Sequence, residues 1–195
     1  MCYHTKQNKT IKEVEKKFKA ELQEGADLKP SNHINGFSYP KTPVITNKNP
    51  GVIQMLNWGL IPDWANDNWQ RNYTLNARFE TLSEKPAFKQ YIQNRCIIIV
   101  NGFYEWQHVG KDKVKFEIGF NNQLFAFAGL YANNTYTIVT TEAKGVMREI
   151  HNTKLRMPFS LKTEKDIQSW LNNEEVAPRY DFTTTQLDFT QSTLF

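Results

Sequence analysis

Cysteine is almost missing from this 195-residue sequence, which holds only Cys2 and Cys96. That scarcity excludes a disulfide-framed scaffold, and without a Cys-x-x-Cys pair or clustered histidines a zinc site has no ligand set. Neither a metal nor a cofactor is expected. Long apolar runs are missing too: nothing approaches the roughly 20 residues of a membrane span, and the opening MCYHTKQNKT lacks an apolar signal-peptide core. An intracellular, cytoplasmic protein without a membrane is the expectation. A strong charge imbalance is also lacking, since 24 Lys and Arg against 20 Asp and Glu leave +4, which permits an anionic partner without demanding one.

What is present is a globular composition, 39% hydrophobic and 13% aromatic. Its length suits one domain over residues 1–195, acting as a monomer, with 181–195 as an edge strand or a peripheral tail. Thr10 and Glu13 read as a capping box opening a helix whose stripe is Ile11, Val14, Phe18 and Leu22 and whose stop is Gly25. Residues 29–52, with Pro30, Pro40, Pro43 and Pro50, read as an extended loop holding a short strand near Pro43–Thr46. A second helix is predicted over 83–94, with Pro86 in its first turn and Phe88, Tyr91 and Ile92 inward. Cys96–Val100 reads as a buried strand, and the segments 114–118, 124–131 and 136–141, parted by Asn121-Asn122 and Asn133-Asn134, read as a meander. Short helices near 146–150 and from Thr163 through Leu171 complete an α+β chain without repeats.

Cys2 is the most informative position. Initiator methionine is commonly trimmed before a small residue, and trimming would leave an α-amine and a thiol on one carbon skeleton. With pKa values of about 7.7–8.0 and about 8.5, such a 1,2-aminothiol is a ready nucleophile near neutral pH. Its natural target is an aldehyde, through an imine that the thiolate closes to a thiazolidine. Position alone is equally compatible with a frayed terminus. Glu105, in Gly102-Phe103-Tyr104-Glu105-Trp106, sits among aromatics that would raise its pKa and suit it to proton shuttling, unless it merely faces solvent from an amphipathic strand. His151 closes a short helix whose dipole would favour its charged form; as an alternative it is a capping residue. Asn76 and Arg78 share one face of a strand, suited to orienting an amine and clamping a phosphate, although an Arg78–Glu80 ion pair explains the arginine equally. Trp58, Trp64 and Trp69 are core candidates, any exposed one of which would stack on a base. Cys96 is assigned to packing.

Taken in order, Cys2, Trp58-Gly59-Leu60-Ile61-Pro62-Asp63-Trp64, Asn76-Ala77-Arg78-Phe79-Glu80-Thr81, Gly102-Phe103-Tyr104-Glu105-Trp106, and His151 ahead of Arg156-Met157-Pro158 resemble the SRAP family, named for SOS-response-associated peptidases. The resemblance spans nearly the whole chain. It implies a curved, largely antiparallel, barrel-like sheet with flanking short helices. It further implies an abasic-site sensor in which Cys2 crosslinks the ring-opened deoxyribose of single-stranded DNA, Glu105 and His151 move protons, and Asn76 orients the Cys2 amine. By the same resemblance Arg78, Thr140 and Arg156 contact phosphates, Trp69 stacks on a base, and Pro40 meets a single-strand to duplex junction. Two places depart from the family pattern: Tyr3-His4 stands where Gly-Arg is usual, and Asn152–Leu155 lengthens the loop before Arg156 by two residues. Lyase activity, a thiol or N-terminal-nucleophile peptidase, and a noncovalent single-strand binder are the alternatives.

Overall fold

In the computed structural model, residues 2–187 are described. The chain order is β1 (His4–Gln7), α1 (Ile11–Phe18), β2 (Glu21–Leu22), β3 (Ser31–Asn35), β4 (Lys41–Thr46), β5 (Asn49–Trp58), β6 (Asn76–Arg78), β7 (Arg95–Val100), β8 (Gly102–Val109), β9 (Asp112–Gly119), β10 (Phe125–Ala132), β11 (Thr135–Glu142), α2 (Met147–Ile150), β12 (Arg156–Pro158), β13 (Ser160–Leu161), α3 (Glu164–Leu171) and β14 (Thr183–Gln186). These strands form two sheets. One runs β14-β9-β8-β1-β3; the other runs β12-β11-β10-β7-β4-β5-β2, with β13 on β10 and β6 on β11. Pairing of Thr135 and Tyr136 with Asn57 and Trp58 joins β11 back to β5, so the path β5-β4-β7-β10-β11 closes into a ring. The fold is α+β, built mostly of strands in curled sheets with a few short helices, as expected.

The unbroken apolar run of β7 is explained by burial on both faces. Its period of two sorts Ile97 and Ile99 into one core, with Ala126, Ala128 and Leu130 of β10, and Cys96, Ile98 and Val100 into a second, with Phe125 and Phe127. The second core also holds Cys2, Trp58, Leu75, Phe103 and Tyr136, and it lies beneath the reactive residues.

Several elements differ from the sequence reading. The capping box at Thr10 and Glu13 forms, but α1 ends at Phe18 because Lys19 turns left-handed, and Leu22 belongs to β2. Gly25 lies in a later turn. Residues 83–94 make turns with only a 3-10 helix at Lys89–Tyr91, since Pro86 removes a donor and disfavours the helical region at Lys85; Phe88 and Tyr91 are buried all the same. The supposed loop of 29–52 carries β3, β4 and the start of β5. The meander is broken: β9 pairs with β8 and β14, whereas β10 lies between β7 and β11, so left-handed Asn121-Asn122 marks a passage between sheets rather than a hairpin. In the C-terminal stretch, β14 is an edge strand against β9, and 188–195 lie outside the described residues.

Gly129 faces Cys96 across the β10–β7 pair. A Cβ there would come 2.4 Å from Ile98 Cδ1 and 2.8 Å from the Thr137 carbonyl oxygen, which as backbone cannot yield. Gly129→Ala should therefore destabilise the fold by about 1–3 kcal/mol, read as a lower midpoint in urea; an unchanged midpoint would show that the ring relaxes freely.

Candidate active site

The site begins with β1, an interior strand paired on one side with β3 (His4 opposite Asn35) and on the other with β8 (His4 opposite Tyr104). That double pairing carries Cys2 into the second core, where it has no exposed surface. The frayed-terminus alternative therefore fails for Cys2. Asn76, at the start of β6, donates from Nδ2 to the Cys2 carbonyl oxygen at 2.9 Å, so it holds the cysteine backbone directly. Arg78 shares its strand and points to solvent, while Ala77 between them is buried, as the alternation required.

Along β8, Phe103 and Glu105 fall on the same inward side. Phe103 fills the core; two residues on, Glu105 is 6% exposed, and burial pushes its carboxyl up to about 7. The Cys2 thiol is likewise raised, first by burial and then by the charge of Glu105. His151 follows α2, which packs Met147 and Ile150 into the same core. Its Nε2 lies 3.8 Å from Glu105 Oε2, and its Nδ1 accepts from the Arg156 backbone N–H at 3.1 Å. Since Nδ1 must be unprotonated to accept, the ring proton resides on Nε2, facing the carboxyl. The expectation of a dipole-favoured imidazolium is overturned: burial drives His151 down to about 4, and a four-residue helix does not offset it.

A cleft of about 420 Å³ opens over Glu105 and His151, which line it with Tyr3, His4, Lys113 and Lys154 among others, while Cys2 is buried and not part of its wall. A larger cavity of about 660 Å³ lies between residues 23–29 and the β4–β5 pair and contains none of the reactive side chains, so chemistry is assigned to the smaller one. The residues at positions 3 and 4 both line the cleft, where Tyr3 packs on Phe37 and His4 stacks on His33 with the edge of Trp106 nearby.

The remaining sequence candidates meet different fates. Arg156 is committed to Glu80 through two contacts, at 3.1 and 2.8 Å, and also donates to the Thr140 carbonyl at 2.7 Å. Glu80 consequently sits near a pKa of about 2, although burial alone would raise it; the bonds from Arg156 and Thr141 prevail. The ion pair weighed for Arg78 is thus made by Arg156, and Arg78 has no hydrogen-bond or ionic partner among the described residues. Thr140 is wholly buried, its hydroxyl donating to the Ala77 carbonyl, so it supports Arg156 rather than presenting itself to a ligand. Trp69 is half-buried with Nε1 on the Leu60 carbonyl, and the exposed ring beside it is Trp64, edge-on at 5.1 Å. Pro40 is half-buried and accepts from the Trp58 amide. Trp58 and Cys96 are core. Sequence reasoning missed Glu80 as the partner of Arg156 and the cationic rim of Lys113; the first emerges because β12 sets Arg156 opposite Glu142, whose amide donates to Glu80. Among the described residues no group of three or more His, Cys, Asp or Glu is placed to hold a metal, and no helix is long and apolar enough to cross a membrane.

Known proteins place this geometry. The abasic site processing protein YoaM of Bacillus subtilis is 36% identical over 174 residues, covering 83% of this chain and 72% of its own. The abasic site processing protein YoqW of the same organism is 40% identical over 156 residues, covering 72% and 68%. A crystal structure of a Bacteroides thetaiotaomicron protein superposes with a TM-score of 0.85 at 28% identity, covering 96% of this chain and 92% of that one. The family described as SOS response associated peptidase (SRAP) matches residues 1–192, and the chain belongs to that family.

Proposed function

We propose that this protein processes abasic sites in DNA, capturing the lesion in single strands as a covalent adduct on Cys2. The observation that carries the reading is a buried cysteine at the second position whose carbonyl is held by Asn76 and whose thiol feels the charge of Glu105, itself 3.8 Å from His151. Kinship with relatives named for abasic site processing supports the substrate.

Trimming of Met1 would free the Cys2 amine beside Glu105. The amine adds to the C1′ aldehyde of the opened deoxyribose, the carbinolamine loses water, and the thiol sulfur then closes on the imine carbon while its proton passes to nitrogen. One water leaves for each thiazolidine formed. A thiol held protonated by burial favours this order, amine first and sulfur second, and disfavours a thiolate peptidase. Glu105, titrating near 7, can give a proton to the departing hydroxyl and recover one afterwards. His151, neutral with its N–H on Nε2, serves as a hydrogen-bond donor to the sugar ring oxygen rather than as a cation. Lys113 and Lys154 on the cleft, together with solvent-facing Arg78 on β6, supply positive charge for flanking phosphates, and Trp64 with Trp69 offers base stacking. Pro40 is assigned to the strand's junction with duplex, and Arg156 and Thr140 to shaping the phosphate side from within.

An abasic oligonucleotide should give a band that survives boiling in detergent, and persistence of that band in Cys2→Ala or in protein retaining Met1 would sink the mechanism. Glu105→Gln should slow adduct formation at least about tenfold and erase the rate limb with an apparent pKa near 7, an effect of the size general acid–base groups supply; an unaltered pH–rate profile would remove Glu105 from the reaction. Stability carries its own signature. Between the ordinary 4.5 and about 7 the folded chain binds more protons at Glu105 than the unfolded one, so this residue makes stability fall as pH rises through that window. His151 acts oppositely between about 4 and 6.5. Glu105→Gln should therefore gain on the wild type progressively from pH 4.5 to 7, reaching on the order of 2–3 kcal/mol; a constant difference in denaturant midpoint across that range would contradict the buried, proton-holding carboxyl.

A further inference from the structure

We propose that Tyr3 and Phe37 form a stacking platform for the nucleobase next to the captured lesion; this rests on the abasic-site reading and adds to it a dependence on the neighbouring nucleotide. Tyr3 follows Cys2 directly and lines the same cleft as Glu105 and His151. Its ring lies 4.7 Å from that of Phe37 at 31°, and Phe37 is 50% exposed, a large apolar face left in water.

The pair is held rather than loose. Phe37 rides on a 3-10 turn, Gly36–Ser38, whose first residue donates its amide to the Tyr3 carbonyl at 2.8 Å and whose Phe37 amide is capped by Asn35 Oδ1 at 3.1 Å. Ser38 Oγ ties the turn back to the Asn35 carbonyl at 2.8 Å. Gly36 itself is pressed on the buried Trp58, where a Cβ would meet the indole ring at 3.1 Å, so only glycine lets the turn sit this low. The two rings are thus fixed to each other and to the backbone of the nucleophile's neighbour.

An abasic nucleotide has no base of its own, so a π-face within reach of Cys2 must belong to an adjacent nucleotide. An exposed aromatic pair suits any base, since each base presents a π-face, and Lys113 and Lys154 on the cleft favour an anionic strand over an apolar protein segment as the occupant.

The test uses strands carrying a tetrahydrofuran lesion, which cannot form an imine, so that binding is read apart from chemistry. In fluorescence anisotropy the wild type should bind the lesion flanked by adenines about tenfold more tightly than the same lesion flanked by further tetrahydrofuran residues. Phe37→Ala and Tyr3→Ala should bring that ratio close to one, and Tyr3→Phe should retain it. A wild-type ratio of one, or an undiminished ratio in Phe37→Ala, overturns the platform. Failure of the wild type to form an adduct with an authentic abasic strand overturns the abasic-site reading instead, and absence of binding to either strand overturns both.

Discussion

Everything at the site depends on β1 lying inside a sheet. A chain end is ordinarily the least ordered part of a domain, because nothing offsets the entropy of fixing it. Here the backbone of residues 4–7 is paired on both sides, by β3 and by β8, and Cys2 is carried past the sheet into the aromatic core. The same β8 that pairs with β1 bears Glu105, so the strand register that fixes the cysteine also fixes its carboxyl neighbour. A one-residue slip would turn Glu105 outward and bring Tyr104 or Trp106 to the inner face.

Burial then sets the chemistry of the ionisable groups. Glu105 rises to about 7, His151 falls to about 4, and the Cys2 thiol climbs, all with desolvation as the leading cause. Each shift favours the uncharged species, so the resting site is close to neutral, although it contains an acid, a base and a thiol. The two groups also differ in kind: a carboxyl poised at neutral pH is able to exchange protons, whereas a histidine so hard to protonate presents only its N–H.

Local signals proved legible where they are short-range. The capping box at Thr10 and the helix start at Thr163 form as their residues dictate, and the apolar run at Cys96–Val100 is the strand it resembles, since these depend on neighbours within a turn or on burial alone. The passage from β9 to β10 was illegible because left-handed asparagines mark a reversal without saying which sheet receives the next strand. Residues 83–94 show the same limit, as Phe88 and Tyr91 keep helical spacing and reach the core from turns. At the site, Cys2, Asn76, Glu105 and His151 stood out in the sequence only together, through their family resemblance, and the protonation state of His151 did not show at all. It follows from depth and from an amide five residues along the chain, neither of which a sequence displays.

That amide belongs to Arg156, and the residue acts in two directions. Its backbone fixes the tautomer of His151, while its guanidinium holds Glu80 bidentately against β11. Because Glu80 is thereby occupied, Arg78, two positions earlier and on the opposite side of buried Ala77 from the core, keeps its charge for solvent or a ligand. A lysine at 156 would preserve the charge but not the fork, leaving Glu80 partly satisfied and able to turn toward Arg78. The lengthened loop before Arg156 does not disturb this arrangement, since Leu155 adopts a left-handed conformation that accommodates the extra residues and its amide bonds back to the His151 carbonyl at 2.9 Å. Arg156 thus links His151 and Glu80, and its place on β12 is set by strand register and not by its distance from His151 in the chain.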